Sequence, residues 1–129
     1  MPDAEYPEAN RIVESIRADW PEEAALIDAD LFDCGYENAP HIWIERFSQF
    51  TTNAIGRGEF STASRQLDLL SRLLAAGGEE TTKCIDVAYV ESLMWDVKDP
   101  KLKREGWKLM PGNLRALYVQ MWGQQPFMK

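Results

Sequence analysis

The sequence predicts an all-α fold, a single compact domain of five to six helices. Apolar residues recur at helical spacing along most of the chain, Gly and Pro separate these periodic stretches, and no stretch alternates apolar and polar residues as a half-buried strand does. The 129 residues, 45% hydrophobic and 27% charged, suit one globular domain, 1–129. Short turns between successive helices favour an orthogonal or solenoid-like antiparallel stack.

Two short helices are predicted in the acidic N-terminal segment, residues 1–37. Pro7 suits a first helical turn, and the apolar spacing behind it predicts a helix over about 7–19. Pro21 begins a second helix, which ends at Cys34-Gly35. Its predicted inner face contains Leu26, Ile27 and Leu31.

The helical core is predicted in residues 38–97. Asn38 is expected to cap a third helix, and Ser61 a fourth, which ends at Gly77-Gly78. A fifth helix is predicted over about 80–96. The expected apolar positions of these helices are Trp43, Phe47, Phe50 and Ala54, then Ala63, Leu67, Leu70 and Leu74, then Cys84, Val87, Val90 or Glu91, and Met94.

Residues 98–129 are predicted to form a basic loop and a last helix. The stretch 98–110 contains Pro100 and Gly106, which predicts a loop that Trp107 pins to the core. Pro111 begins the last helix. The two cysteines, Cys34 and Cys84, are expected to be buried free thiols, with a disulfide as the alternative.

The net charge of −7 is unevenly distributed along the chain. Residues 1–40 contain eleven acidic and two basic residues, a net −9, whereas residues 98–129 contain seven basic and two acidic residues, a net +5. A negative field repels nucleic-acid phosphates and attracts basic proteins, so we expect a protein partner and no nucleic acid. No apolar run reaches the roughly 18 residues of a membrane span, and the acidic N-terminus does not resemble a signal peptide. We therefore expect a cytoplasmic protein without a membrane partner.

No catalytic residue, cofactor site or metal site is predicted. His41, the one histidine, lies four residues before Glu45, but no nearby residue completes a metal site. Residues 28–33 resemble the start of a calcium loop but lack the glycine and the final glutamate that such a loop needs. No nucleophile elbow, Walker loop or dinucleotide-binding fingerprint is present. These observations favour a binding protein over an enzyme.

The candidate protein-binding surface lies in the acidic N-terminal segment. Carboxylates there would steer a basic partner, and aromatic side chains would anchor it. The candidate residues are Trp20, Glu22, Glu23, Asp28, Asp30, Phe32, Asp33, Tyr36 and Glu37. Two alternatives stay open. In the first, the chain is a helical adaptor or regulatory module that binds a peptide or a second subunit in a hydrophobic groove near Trp95 and Trp107, with a homodimer as its expected state. In the second, the basic residues 98–108 fold back and neutralise the acidic helices.

Residues 40–122 resemble a family of small bacterial helical domains that is associated with immunity proteins of polymorphic-toxin and contact- or secretion-dependent competition loci. The resemblance rests on FSQFTTNAI at 47–55, GEF at 58–60, the leucines of 67–74, CIDVAYVESL at 84–93, LMP at 109–111, Leu114 and Tyr118. It implies a cytoplasmic immunity protein, an antitoxin that neutralises a cognate toxin by binding and occlusion. It implies no catalytic residues, and it does not extend to residues 1–37.

Overall fold

Seven α-helices, one π-helical segment and one 3-10 turn follow one another along residues 6–36 and 38–128, the part of the chain that the computed structural model describes. Within that part no strand is present, which confirms the all-α prediction. The elements are α1 (Pro7–Asp19), α2 (Pro21–Asp33), α3 (Pro40–Gly56), α4 (Phe60–Ala76), α5 (Glu79–Cys84), the π segment (Ile85–Val90), α6 (Pro100–Leu109), α7 (Gly112–Trp122) and the 3-10 turn (Pro126–Met128).

Proline marks the start of four helices: α1, α2, α3 and α6. A first-turn proline lacks only an N–H group that would have no partner there, and its fixed φ already suits a helix. The two predicted N-caps were wrong by one or two residues. Ala39, rather than Asn38, precedes α3, and Glu59 precedes α4, so that Ser61 lies inside that helix.

The predicted count of five to six helices was too low, because the described residues form seven α-helices. The additional helix is α6, which lies where a loop was predicted over 98–110. The carboxylate of Asp99 accepts a hydrogen bond from the backbone N–H of Lys101 at 2.9 Å and caps the helix. Pro100 therefore begins a helix here. The predicted anchor was correct: Trp107 is buried, with its ring centroid 5.8 Å from that of Tyr118 and 6.1 Å from that of Phe127.

The predicted fifth helix changes its winding after Cys84. α5 passes into the π segment, and residues 91–96 form turns. A π turn holds more residues than an α turn, so the 3.6-residue spacing fails there. Val87 is exposed, contrary to the prediction, while its neighbours Ala88 and Tyr89 are buried. Met94, within these turns, is fully buried and has a φ of +61°.

The core surrounds α3, which packs against α1, α2, α4, α6 and the π segment. Its predicted stripe is buried at Trp43, Phe47 and Ala54 and half-buried at Phe50. A buried polar network joins three elements across it. The Thr51 hydroxyl donates to Gln66 Oε1 at 2.7 Å and lies 2.7 Å from the Tyr89 hydroxyl, whose pKa is raised by burial.

The two cysteines are free, but they differ in burial. Cys84 is buried as predicted, whereas Cys34 is exposed just after α2, so the prediction of two buried thiols was wrong for Cys34. Burial, together with the nearby charge of Glu80, raises the pKa of the Cys84 thiol to about 11. None of the described helices is long and apolar enough to cross a membrane.

Candidate protein-binding surface

The outward face of α2 is apolar and uncovered. The helix buries Ala24, Ile27 and Leu31 against α1 and α3. Its opposite side exposes Ala25, Ala29, Leu26 and Phe32, with Leu26 62% and Phe32 68% accessible. Leu26 was predicted on the inner face and is on the outer one. A surface helix normally buries its apolar residues, so an apolar outer face indicates a contact surface. We call the exposed side chains of residues 22–36 the α2 face.

Carboxylates border the α2 face. Glu22, Glu23 and Asp33 form no ion pair with any described residue. Glu22 and Glu23 lie in the first turn of α2, where negative charge is favoured by the helix dipole. Tyr36, which is 50% exposed, adds an aromatic ring just beyond the helix. Glu37, a further predicted residue, lies outside the described residues.

Two of the predicted carboxylates instead hold the fold together. Asp28 forms an ion pair with Arg17 of α1 and accepts a hydrogen bond from the indole N–H of Trp43 in α3 at 2.9 Å. The hydrogen bond from Arg17, together with that from Trp43, holds the pKa of Asp28 below its usual value against the opposing effect of burial. Asp30 lies 3.3 Å from Nε of Arg46 in α3. Neither carboxylate is therefore free to meet a partner's cation alone.

Trp20 does not belong to the α2 face. Its half-buried ring lies 6.4 Å from the Phe47 ring, and the guanidinium of Arg65 lies 5.2 Å from its centroid. Together with Arg65, Ser71 and Pro111 it lines a depression of about 580 Å³ on the α4 side. The prediction of Trp20 as a partner anchor beside Phe32 and Tyr36 stays untested, and its packing here gives it a structural role.

The basic C-terminal segment leaves the α2 face open. α6 packs against α3, α4 and the 3-10 turn, whereas α2 packs against α1 and α3. In the described part of the chain, no ion pair joins residues 98–110 to α1 or α2, and Lys108 pairs with Glu105 of its own helix at 3.3 Å. The alternative in which residues 98–108 fold back to neutralise the acidic helices is not supported by this arrangement.

A second surface, which the sequence located only in part, is an open groove beside the turns of residues 91–96. It was expected near Trp95 and Trp107. Trp95 is 66% exposed, as that prediction requires, but Trp107 is buried. The second exposed tryptophan of the groove is instead Trp122 at the end of α7, whose side chain is 48% exposed. Two adjoining depressions of about 480 Å³ and about 330 Å³ share Glu91, Trp95 and Trp122 in their walls. We call this pair of depressions the Trp95–Trp122 groove.

Side chains of the types that bind metals do not cluster among the residues that the structure describes. No three His, Cys, Asp or Glu side chains there are grouped closely enough to hold a metal ion. His41 packs edge-on against Tyr6, with 5.1 Å between the ring centroids. Oδ1 of Asp86 is buried and has no hydrogen-bond partner among the described residues, and Asp86 lines neither the depression beside Trp20 nor the Trp95–Trp122 groove.

Most of the chain matches the model of a protein family. The model of the family described as "Domain of unknown function (DUF7674)" matches residues 11–123, which is most of the chain. The matched range includes α2, so the α2 face is part of the family domain. No match was found among curated proteins or among solved structures.

Proposed function

The chain belongs to the family of the domain of unknown function DUF7674, and we propose that it is a cytoplasmic immunity protein that binds a cognate bacterial toxin with a basic surface and occludes it. The observation that carries the protein-binding part is the α2 face, an apolar helix surface bordered by carboxylates that form no ion pair with a described residue. The immunity role is supported by the resemblance of residues 40–122 to domains of competition loci.

The α2 face has the two components of a fast and specific protein contact. Phe32 and Leu26 offer exposed apolar area at the centre, where truncation of an anchor typically costs most of the binding energy. Glu22, Glu23 and Asp33 offer negative charge at the rim, where charges mainly raise the association rate. Binding by this face would block the toxin without any chemistry by the chain itself.

The steering part is tested with two variants that change charge equally. Glu22→Lys/Glu23→Lys reverses the charge of the first turn of α2, and Glu79→Lys/Glu80→Lys does the same in the first turn of α5. Both double variants therefore lose a favourable interaction of carboxylates with a helix dipole. The binding partner used in this assay is the product of the gene adjacent to this chain's own. We expect the α2 variant to associate at least about tenfold more slowly at low salt, with a weaker salt dependence than the α5 variant. Equal rates for the two variants would remove the steering role.

The anchoring part is tested with Phe32→Ala, and Tyr6→Ala serves as the control because Tyr6 is an exposed aromatic residue that precedes α1 and lies outside the α2 face. We expect Phe32→Ala to raise the dissociation rate by about tenfold or more, since anchor losses appear mainly in dissociation. In cells, the wild-type chain should restore growth to a host that expresses the adjacent gene product, and Phe32→Ala should restore it less. A host that grows equally well with and without the chain would overturn the immunity role.

The second candidate function is a helical adaptor or regulatory module, and the Trp95–Trp122 groove favours it. Tryptophan is enriched in binding hot spots, and two exposed tryptophans line this groove. An adaptor of this kind was expected to be a homodimer. Sedimentation equilibrium that shows only monomer at the highest soluble concentration would count against the dimeric form, and the immunity proposal is compatible with either state.

A further inference from the structure

Three of the five tryptophans carry an arginine of the same chain on their rings. The guanidinium carbon of Arg17 lies 5.5 Å from the Trp43 ring centroid, that of Arg65 lies 5.2 Å from Trp20, and that of Arg115 lies 5.0 Å from Trp107. A cation at this distance is attracted by the negative face of the indole ring. Three of the five indole rings therefore form a cation–π contact within the chain.

The other two tryptophans, Trp95 and Trp122, carry no cation from any described residue, and they are the two most exposed. The Trp95 ring is nevertheless held in place, because its indole N–H donates to Oε1 of Gln49 at 2.9 Å. The Gln49 amide in turn donates to Asn53 at 2.9 Å and to Asp96 at 3.4 Å. An exposed ring that is fixed by such a chain of hydrogen bonds loses little conformational entropy when a ligand binds.

The charges around the groove favour a cation. Glu45 and Glu91 line its larger half and form no ion pair with a described residue. The basic side chain in that half, Arg46, lies beside Asp30. In the smaller half, the ammonium of Lys103 lies 5.4 Å from the Phe127 ring centroid. The cations of the groove are therefore engaged, while two carboxylates near Trp95 and Trp122 are not.

We propose that the larger half of the Trp95–Trp122 groove binds an arginine side chain carried by an exposed basic segment of a partner protein. A guanidinium is flat, so it stacks on an indole ring while its edge donates to the carboxylates of Glu91 and Glu45. The compact, strongly hydrated ammonium of lysine cannot make both contacts equally well. The groove and the α2 face share none of the residues tested below, so failure of one proposal leaves the other standing.

The test uses short blocked peptides of sequence Gly-Leu-X-Leu-Gly, in which X is Arg, Lys, Gln or Glu. The five indole N–H signals of the ¹⁵N-labelled protein are followed by NMR during titration, and Trp95→Phe and Trp122→Phe identify two of them. We expect the Arg peptide to shift the Trp95 and Trp122 signals, the Lys peptide to bind more weakly, and the Gln and Glu peptides to leave them unmoved. A Gln or Lys peptide that binds as tightly as the Arg peptide, or an Arg peptide that shifts neither signal, would overturn the proposal.

Two variants and two controls locate the site. Trp122→Ala and Glu91→Gln should each weaken binding of the Arg peptide by about fivefold or more. The first variant loses a cation–π contact, and the second loses a charge-assisted hydrogen bond. Glu79→Gln removes an exposed carboxylate elsewhere, and Phe32→Ala removes an exposed aromatic ring from the α2 face. Both controls should bind the Arg peptide as the wild type does. Equal weakening in all four variants would mean that the contact is non-specific.

Discussion

The carboxylate of Asp28 accepts hydrogen bonds from two neighbouring helices, from the guanidinium of Arg17 in α1 and from the indole N–H of Trp43 in α3. The guanidinium also stacks on the same indole, 5.5 Å from its centroid. One carboxylate therefore joins α1, α2 and α3. A partner that approached Asp28 would have to compete with these contacts, so its contribution belongs to stability.

Asp28→Asn should lower the free energy of unfolding by about 0.5–1 kcal/mol at neutral pH, because the ion pair is partly exposed and is screened by solvent. The pKa of Asp28 is lower in the folded chain than in the unfolded one. Its stabilisation is therefore present above its ordinary pKa of 3.8 and is lost as the pH falls through the folded value. Urea unfolding of wild type and variant from pH 7 downwards should show the difference shrinking below about pH 4.

Asp33→Asn is the matched control for this prediction. Asp33 is exposed in the last turn of the same helix and forms no ion pair with a described residue. Its replacement removes a negative charge that the helix dipole disfavours there, so it should not lower the unfolding free energy at any pH between 7 and 3. A difference between Asp28→Asn and wild type that stays constant through pH 3 would contradict the role given to the Arg17 ion pair.

Residue positions in α2 illustrate what spacing can and cannot predict. The sequence indicated that Phe32 and Tyr36 offer exposed aromatic rings, and both are exposed. It placed Leu26 on the inner face and treated Asp28 as available, and neither holds. Apolar residues surround most of this helix, so periodicity alone does not say which side faces the core. The contacts of Asp28 depend on residues 11 and 15 positions away, which no local pattern contains.

At the scale of elements, the sequence predicted the order and most boundaries of the helices but missed α6 and the π segment. Pro100 and Gly106 were interpreted as signs of a loop. Proline also begins α1, α2 and α3 in this chain, where no side chain caps the helix, so a proline by itself does not distinguish a loop from the first turn of a helix. Gly106 is buried at a close approach between helices, which requires tertiary structure to recognise.

Gly106→Ala should destabilise the packing of α6. An added Cβ would lie 2.7 Å from Sδ of Met94 and 3.0 Å from a methyl carbon of Ile55. Both neighbours are fully buried, so they have little room to move, and we expect a loss of about 1–3 kcal/mol in unfolding free energy. Gly112→Ala, at the start of α7, meets nothing within 4 Å and should be neutral or stabilising by up to about 1 kcal/mol. Urea denaturation followed by circular dichroism compares the two, and equal stabilities would refute the close contact.

At the scale of the whole molecule, the charge asymmetry of the sequence persists as two separate surfaces. α2 packs against α1 and α3, the basic α6 packs against α3, α4 and the 3-10 turn, and the described residues form no ion pair between α2 and α6. The charge pattern alone could not decide between an open acidic surface and a neutralised one. Burial and ion pairing decide it, because they show which carboxylates the fold uses and which it leaves free.

Removing charge from the basic segment should therefore have little effect on stability. Lys98→Gln/Lys101→Gln/Arg104→Gln removes three positive charges from exposed side chains that form no ion pair with a described residue. Two of these charges lie near the N-terminus of α6, where positive charge is unfavourable to the helix dipole. We expect the free energy of unfolding to change by less than about 1 kcal/mol at low and at high salt. A loss of about 2 kcal/mol or more that disappears at high salt would mean that this segment neutralises the acidic helices, and that the α2 face is less available to a basic partner than proposed here.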